Sequence, residues 1–398
     1  MEGEPLVVHG RHRRGRTRRA VLIALAVALI AAASAAWFFW PSAAPAGHRG
    51  AASSSGTRSS APSSAGSSAT SSATDAGPTT ASHTAAGPTP PAASAAVPAR
   101  GTAIQVGKAP HFMAIAPDGR FAYVADPVAR AVIRFDTTRG TPTATIPIPQ
   151  APPELVTFSP DGTRAFVSAY DAKYTANFIV TLDTATDREI RAVPVGRGPY
   201  AAGTTRDGRL LYLPYYDQNF MDVLETATGV RLARIPSAPC PHWVVFSHDG
   251  RLAYTTNHFS DLVSVIDLQR NAVVQTIHVG DGPHSLEMSP DGTRIAVVDY
   301  IGGDVTVIDT SRNAVVRTVP AVGAGPQDVT YAPDGRHLYT ANVTDGTVAV
   351  VDTATGTVTA RIATGKSPTS VAVTPDGRRA FVTNFGDGTV LPLDTAAG

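Results

Sequence analysis

The chain of 398 residues contains a single cysteine, Cys240, so it forms no internal disulfide and carries no CxxC metal or redox motif and no CxxCH haem attachment. Charge is scarce as well. Asp, Glu, Lys and Arg make up 16% of the sequence, well under the roughly 25% usual in soluble domains, which argues against long solvent-facing helices. Residues 41–100 lack any aromatic residue, and 53 of the 60 are Ala, Ser, Thr, Pro or Gly. Such a segment buries too little apolar surface to offset the entropy of ordering, so it reads as a disordered linker. What is abundant is Gly and Pro, 35 and 32 residues, and that enrichment favours strands joined by turns.

The net charge of +1 is unevenly distributed. Residues 1–19 carry +4, from six arginines against Glu2 and Glu4; residues 41–100 carry +2; the remainder, 101–398, carries −5. An acidic body behind a basic tail is not the distribution of a nucleic-acid-binding domain, which places its cations on the folded surface. No nucleic-acid partner is expected.

Ala20 to Trp40 are 21 uncharged, mostly apolar residues, the length that crosses a bilayer core as a helix. Arginines precede the run, and Trp37 to Trp40 supply an aromatic belt at its far end. The positive-inside rule then places residues 1–19 in the cytoplasm and everything after 40 outside it, anchored by one helix. The competing reading is a secreted protein: Ala33-Ser34-Ala35 resembles a signal-peptide cleavage site, and Thr17 to Leu22 loosely resembles a twin-arginine signal. Both export residues 41–398.

From residue 102 the sequence repeats. Asp-Gly pairs begin at Asp118, Asp161, Asp207, Asp249, Asp291, Asp334 and Asp376, at intervals of 42 to 46 residues, the period of a four-stranded propeller blade. Eight residues before each aspartate lies a proline, from Pro110 to Pro368, that opens an innermost strand a; the Asp-Gly makes the turn into strand b. The last copy stops after strand c at Leu391 to Asp394, whereas Thr102 to Gly107, ahead of the first, matches a strand d. Pairing the two closes the ring, so the domain expected over 101–398 is an all-β seven-bladed propeller.

Phe381-Val382-Thr383-Asn384, Tyr339-Thr340-Ala341-Asn342 and Tyr254-Thr255-Thr256-Asn257, each after an Asp-Gly turn, resemble the YVTN repeat of YncE-like seven-bladed β-propellers. The resemblance covers nearly the whole exported domain. It implies the fold and a range of roles, from ligand-binding surface proteins through cytochrome-linked dehydrogenase subunits to lactonases and streptogramin-type lyases.

In an up-and-down blade the d-to-a and b-to-c connections share one face. The residues after the strand-a prolines form a channel ring there: His111, Glu154, Tyr200, His242, His284, Gln327 and Thr369. A second tier at the ends of strand b includes Tyr170, Tyr216, His258, Asp299 and Tyr300, with Asn257, Asn342 and Asn384 recurring as part of the repeat. A four-residue insertion around Asp171 to Tyr174 lengthens one b-to-c loop on the same face. The irregular members mark a candidate ligand site; His111, His242, His284 and Glu154 are also a donor set for a divalent metal, and no other cofactor is expected. Cys240 reads as a packed thiol.

These residues support two functions. The first is a membrane-displayed binding or scaffold domain for a small molecule, peptide or cell-wall component; the second, drawn from the resemblance, is a metal-assisted lactonase or lyase using Glu154 and a histidine. An electron-transfer role requires a separate haem or quinone protein. Topology is directly testable: protease added to intact cells should cut the spacer and release the propeller into the medium. Retention of the propeller until lysis would reverse the orientation.

Overall fold

Fourteen prolines and glycines, one pair in each copy, set the strand ends. The computed structural model describes residues 89–397, and the expectations for residues 1–19, 20–40 and 41–88 lie outside them. Among the described residues no helix is long and apolar enough to cross a membrane. Of the seven antiparallel sheets, six take their four strands consecutively from the chain, and the seventh joins strands from both ends of the described residues. Blade four is representative: strand a Pro241–Phe246, b Leu252–Asn257, c Leu262–Asp267 and d Ala272–His278. The all-β seven-bladed propeller expected from the repeat is therefore present.

Each Asp-Gly glycine has φ between 68° and 74°, the left-handed region that a side chain disfavours. The aspartate side chain accepts the backbone N–H two residues on, as Asp249 does from Arg251 at 3.0 Å, so the dipeptide fixes its own turn. Strand a begins differently. Its proline pairs with the end of strand b, as Pro283 does with Asp299 and Pro326 with Asn342, and the register slips immediately afterwards. Such a bulge re-aims the extra residue. Here it turns the residue after the proline into the channel.

Ring closure holds, with a correction to its extent. Ile104–Gln105 pairs with Val390 and Thr389 as expected, but Ser94–Arg100 also pairs with the outer edge of the final strand, Thr389–Ala396, opposite Ala396, Asp394 and Leu393. The propeller thus begins inside the stretch assigned to the linker at 41–100. Composition could not reveal this, because Val97 remains exposed and burial is not what orders the strand. Sheet pairing and polar ties to blade six do so instead. Ser94 donates its N–H to Asp334 at 2.6 Å and lies 2.7 Å from His337 Nδ1, and Thr359 donates to the Ala96 carbonyl at 2.8 Å.

Deleting residues 94–105 should lower Tm by more than 10 °C in calorimetry, whereas deleting twelve residues from 60–71 should leave it unchanged. Equal melting of the two truncations would refute closure by this strand.

Candidate functional site

In five of the seven blades a bulge follows the strand-a proline, and the residue after the proline stands at the channel mouth, as expected. Blade three departs furthest from regularity: its strand a is reduced to Gly203–Thr204, and Ala201 instead donates to the His242 carbonyl of blade four at 3.2 Å. That detour carries Tyr200 against His242, with ring centroids 3.9 Å apart.

His242, His258 and His284 form a buried triangle, with centroids separated by 4.3, 5.1 and 5.6 Å. Tyr216 lies 5.1 Å from His242, and Tyr300 lies 5.8 Å from His284 and 6.2 Å from His258. The expected group of Tyr200, Tyr216, His242, His258, His284 and Tyr300 is thus one cluster. Tyr170, Tyr216, His258, Tyr300 and Phe385 occupy the same repeat position, one residue past the end of the b-strand core. Each rim residue leans over its own channel-ring residue or that of the following blade.

His258 has its Nδ1 3.2 Å from the Pro283 carbonyl. His242 is 2% exposed and neither of its ring nitrogens has a partner; His284 Nδ1 is also unpartnered. Burial, reinforced by the neighbouring imidazoles, pushes the pKa of His242 and of His284 well below the ordinary histidine value, and burial brings His258 to about 4. All three are neutral at pH 7. Burial likewise raises the phenol of Tyr200.

The four-residue insertion folds as a tight turn around Asp171, whose carboxylate accepts the N–H groups of Thr175 at 2.6 Å and Ala176 at 3.1 Å. Tyr174 takes φ 54° there and is set 5.6 Å from Tyr170, beneath the Arg197 guanidinium. The lengthened loop therefore adds a ring to the rim, as its position implied.

The proposed metal donors do not gather into one set. His111 pairs with Glu154, Nδ1 to Oε2 3.0 Å, and its Nε2 lies 3.2 Å from Gln327 Nε2, while His242 and His284 sit with Tyr200. Burial disfavours charge on His111, yet the Glu154 carboxylate overcomes it and raises the imidazole above its ordinary value. Among the described residues no group of three or more His, Cys, Asp or Glu is arranged to hold a metal ion.

Asp299 lies apart from the rim cluster. It is fully buried, accepts from Thr306 Oγ1 at 2.7 Å and crowds Gly280, where an added Cβ would stand 2.4 Å from its Oδ2. Burial and the facing Asp304 hold its pKa above the usual carboxylate range. Asn257, Asn342, Asn384 and Asp126 occupy the same place in other blades; Asp126 there accepts the N–H groups of Lys108 and Ala109. Cys240 is a buried thiol pushed up to about 12 by burial, so it is no nucleophile at neutral pH.

Sequence reasoning missed Phe112 and Trp243. Their rings meet 5.3 Å apart and, with Leu155 and Ala201, close the channel beneath the imidazoles. All four stand two residues after a strand-a proline, so their repeat position was legible in the sequence, but that Phe112 and Trp243 meet across the ring was not. Phe259, 43% exposed beside Tyr216 and His258, was also missed; it is one residue past the tier read from the repeat.

The depressed imidazoles predict a pH dependence. With its pKa about 4 in the folded state and 6.5 unfolded, His258 contributes stability that is full above pH 6.5 and lost as pH falls towards 4, at most about 3 kcal/mol. Glu287 and Asp328, raised to about 8 and about 7 by burial, act in the opposite sense, since their contribution is lost as pH rises from about 4 through those values. The difference in Tm between wild type and His258→Gln should therefore shrink as pH is lowered from 7.5 to 5. A difference independent of pH would show that His258 is not buried neutral.

Residues 210–330, from strand b of blade three into strand a of blade six, match the family described as Cytochrome D1 heme domain. No curated protein matches the sequence. Among solved structures, Kuenenia stuttgartiensis hydrazine synthase is similar, at 21% identity and TM-score 0.66, covering 75% of this chain and 99% of that one; at that identity the likeness is one of fold. The matched span contains His242, His258 and His284; Phe112 and Trp243 meet 5.3 Å apart beneath them, and Tyr200 packs beside His242. The chain is a seven-bladed β-propeller with a cytochrome D1 heme domain-like region.

Proposed function

We propose that the propeller is an exported binding domain that captures a small molecule on the d-to-a/b-to-c face, over the floor of His242, His258 and His284. The observation that carries this reading is His242, buried with both ring nitrogens unpartnered. An unsatisfied buried polar group costs roughly 1–3 kcal/mol, and a ligand supplying a donor and an acceptor offsets that cost. Because the imidazoles are neutral, the matching ligand group is an uncharged one such as a hydroxyl or amide, with a ring or apolar body against Tyr170, Tyr174, Tyr216 and Tyr300. The apolar segment Ala20 to Trp40 and the spacer supply display at the cell surface, where a peptide or cell-envelope component is an equally accessible source of such groups.

A lactonase or lyase is the second reading, favoured by the His111–Glu154 pair at the same mouth, an imidazole 3.0 Å from a carboxylate that raises its pKa. Screening the full-length protein against glycan and neutral-fragment panels by thermal shift separates the two. Binders should lose at least tenfold in affinity with Tyr216→Ala or His242→Phe, with little change in the unliganded Tm for Tyr216→Ala. Binders unaffected by both substitutions would place recognition elsewhere. Hydrolysis of a lactone panel that disappears in Glu154→Gln would instead establish the enzyme.

A further inference from the structure

Neighbouring blades diverge away from the channel, and a large side chain must fill each wedge for the interior to reach normal packing density. In six copies the fifth residue after the Asp-Gly aspartate does this: Tyr123, Phe166, Tyr212, Tyr254, Tyr339 and Phe381, each 2% exposed or less. Tyr123 stacks on Phe158 of the following blade at 5.2 Å, and Tyr212 packs edge-on against Phe246 at 5.4 Å. In blade five the position is Ala296. Its counterpart across the wedge, Tyr331 of blade six, belongs to the same buried cluster, whose other members are Val, Leu and Ala.

The positions around Ala296 are otherwise those of the repeat. Val307 faces Ala296 on strand c as Val223, Val265 and Val350 face Tyr212, Tyr254 and Tyr339. Where the hydroxyls of Tyr123, Tyr212 and Tyr254 donate to Asp187, Asn271 and Asn313 of the following blade, blade six has Gly356, as blades one and three have Gly140 and Gly229 where the preceding blade's ring is Phe381 or Phe166. What remains is a cleft of about 430 Å³ that opens among the a-to-b and c-to-d turns, walled by Val307, Tyr331, Leu338 and Val351 with Arg294 and Arg317 towards solvent. A dry cavity of roughly 150 Å³ takes up benzene, so this one accommodates a substituted ring.

We propose that the cleft between blades five and six binds a small phenolic molecule, its ring stacked on Tyr331 in the place of the missing interblade side chain and its oxygen directed to Arg317. The choice of a phenol follows from the other wedges, three of which are filled by a phenol whose hydroxyl is bonded to the next blade. The polar partner differs here. The space beside Gly356 is held by Arg317, whose Nη1 and Nε lie 2.9 and 3.2 Å from where a Cβ would stand. Nη1 already donates to the Thr353 and Ala354 carbonyls, and the remaining N–H groups of the guanidinium are donors for a ligand oxygen. This site lies on the opposite face from the histidine floor and does not depend on it.

The test uses p-cresol and the full-length protein. p-Cresol should raise Tm in a concentration-dependent way, and its ring protons should receive saturation transferred from the protein. Ala296→Phe rebuilds the ring found in the other copies, so it should raise the unliganded Tm and weaken p-cresol at least tenfold. Leu338→Phe, which fills the same space from blade six, should weaken p-cresol as well and serves if Ala296→Phe fails to fold. Arg317→Met should weaken p-cresol more than toluene, and His242→Phe should change neither. The proposal is overturned if wild type shows no p-cresol response, or if a filled variant retains the full response. Loss through His242→Phe instead would assign the phenol to the channel floor.

Discussion

A ring of seven sheets leaves a wedge between each pair of neighbouring blades, and in this protein six of the seven are filled from a single repeat position. The ring placed five residues after each Asp-Gly aspartate reaches across to the next blade; where it is tyrosine, the hydroxyl is tied to a residue of that blade's outer turn. Tyr123, Tyr212 and Tyr254 are held in this way. Tyr339 is not: its hydroxyl is buried without a partner. The reason is topological. Blade seven has no c-to-d turn, because its outer strand comes from the other end of the chain, so the group that would receive the Tyr339 hydroxyl does not exist.

The same dependence explains why the seam carries so many polar ties. Ser94 to Asp334 and His337, Thr359 to Ala96, and Arg100 to the Ala363 carbonyl at 2.9 Å bind the terminal strand across blades six and seven. They offset the loss of a covalent turn and leave no unpaired edge at the join. Ala296 relaxes the packing constraint at one other place, and the outcome is an open cleft rather than collapse, since strands b and c of both flanking sheets are paired over six positions and each sheet packs on its other neighbour.

The channel face follows from backbone geometry more than from the chemistry of its side chains. Proline followed by a bulge recurs in five of the seven blades and points the next residue at the axis, whatever that residue is. Tolerance of that position allows His111 to pair with Glu154, which raises its pKa, on one side while His242 and His284 stay neutral on the other. The two pairs differ because a carboxylate faces His111, whereas the neighbours of His242 are other imidazoles and tyrosine rings, which offer burial without compensating charge.

The repeat itself, read as sequence, determined the blade number, the Asp-Gly turns, the strand order and the closure of the ring, since each depends on local propensity and on a period that survives side-chain variation. It also identified the channel ring and the rim, because the bulged proline and the end of strand b are periodic. It did not reveal that residues 94–100 join the last blade, because their order comes from pairing with a sheet edge rather than from apolar content. Nor did it show that Asp299 is sequestered under Gly280, that Phe112 and Trp243 plug the channel, or that four metal-type donors separate into two pairs. Those are distances between residues tens to hundreds of positions apart, and only the closed ring brings them together or holds them apart.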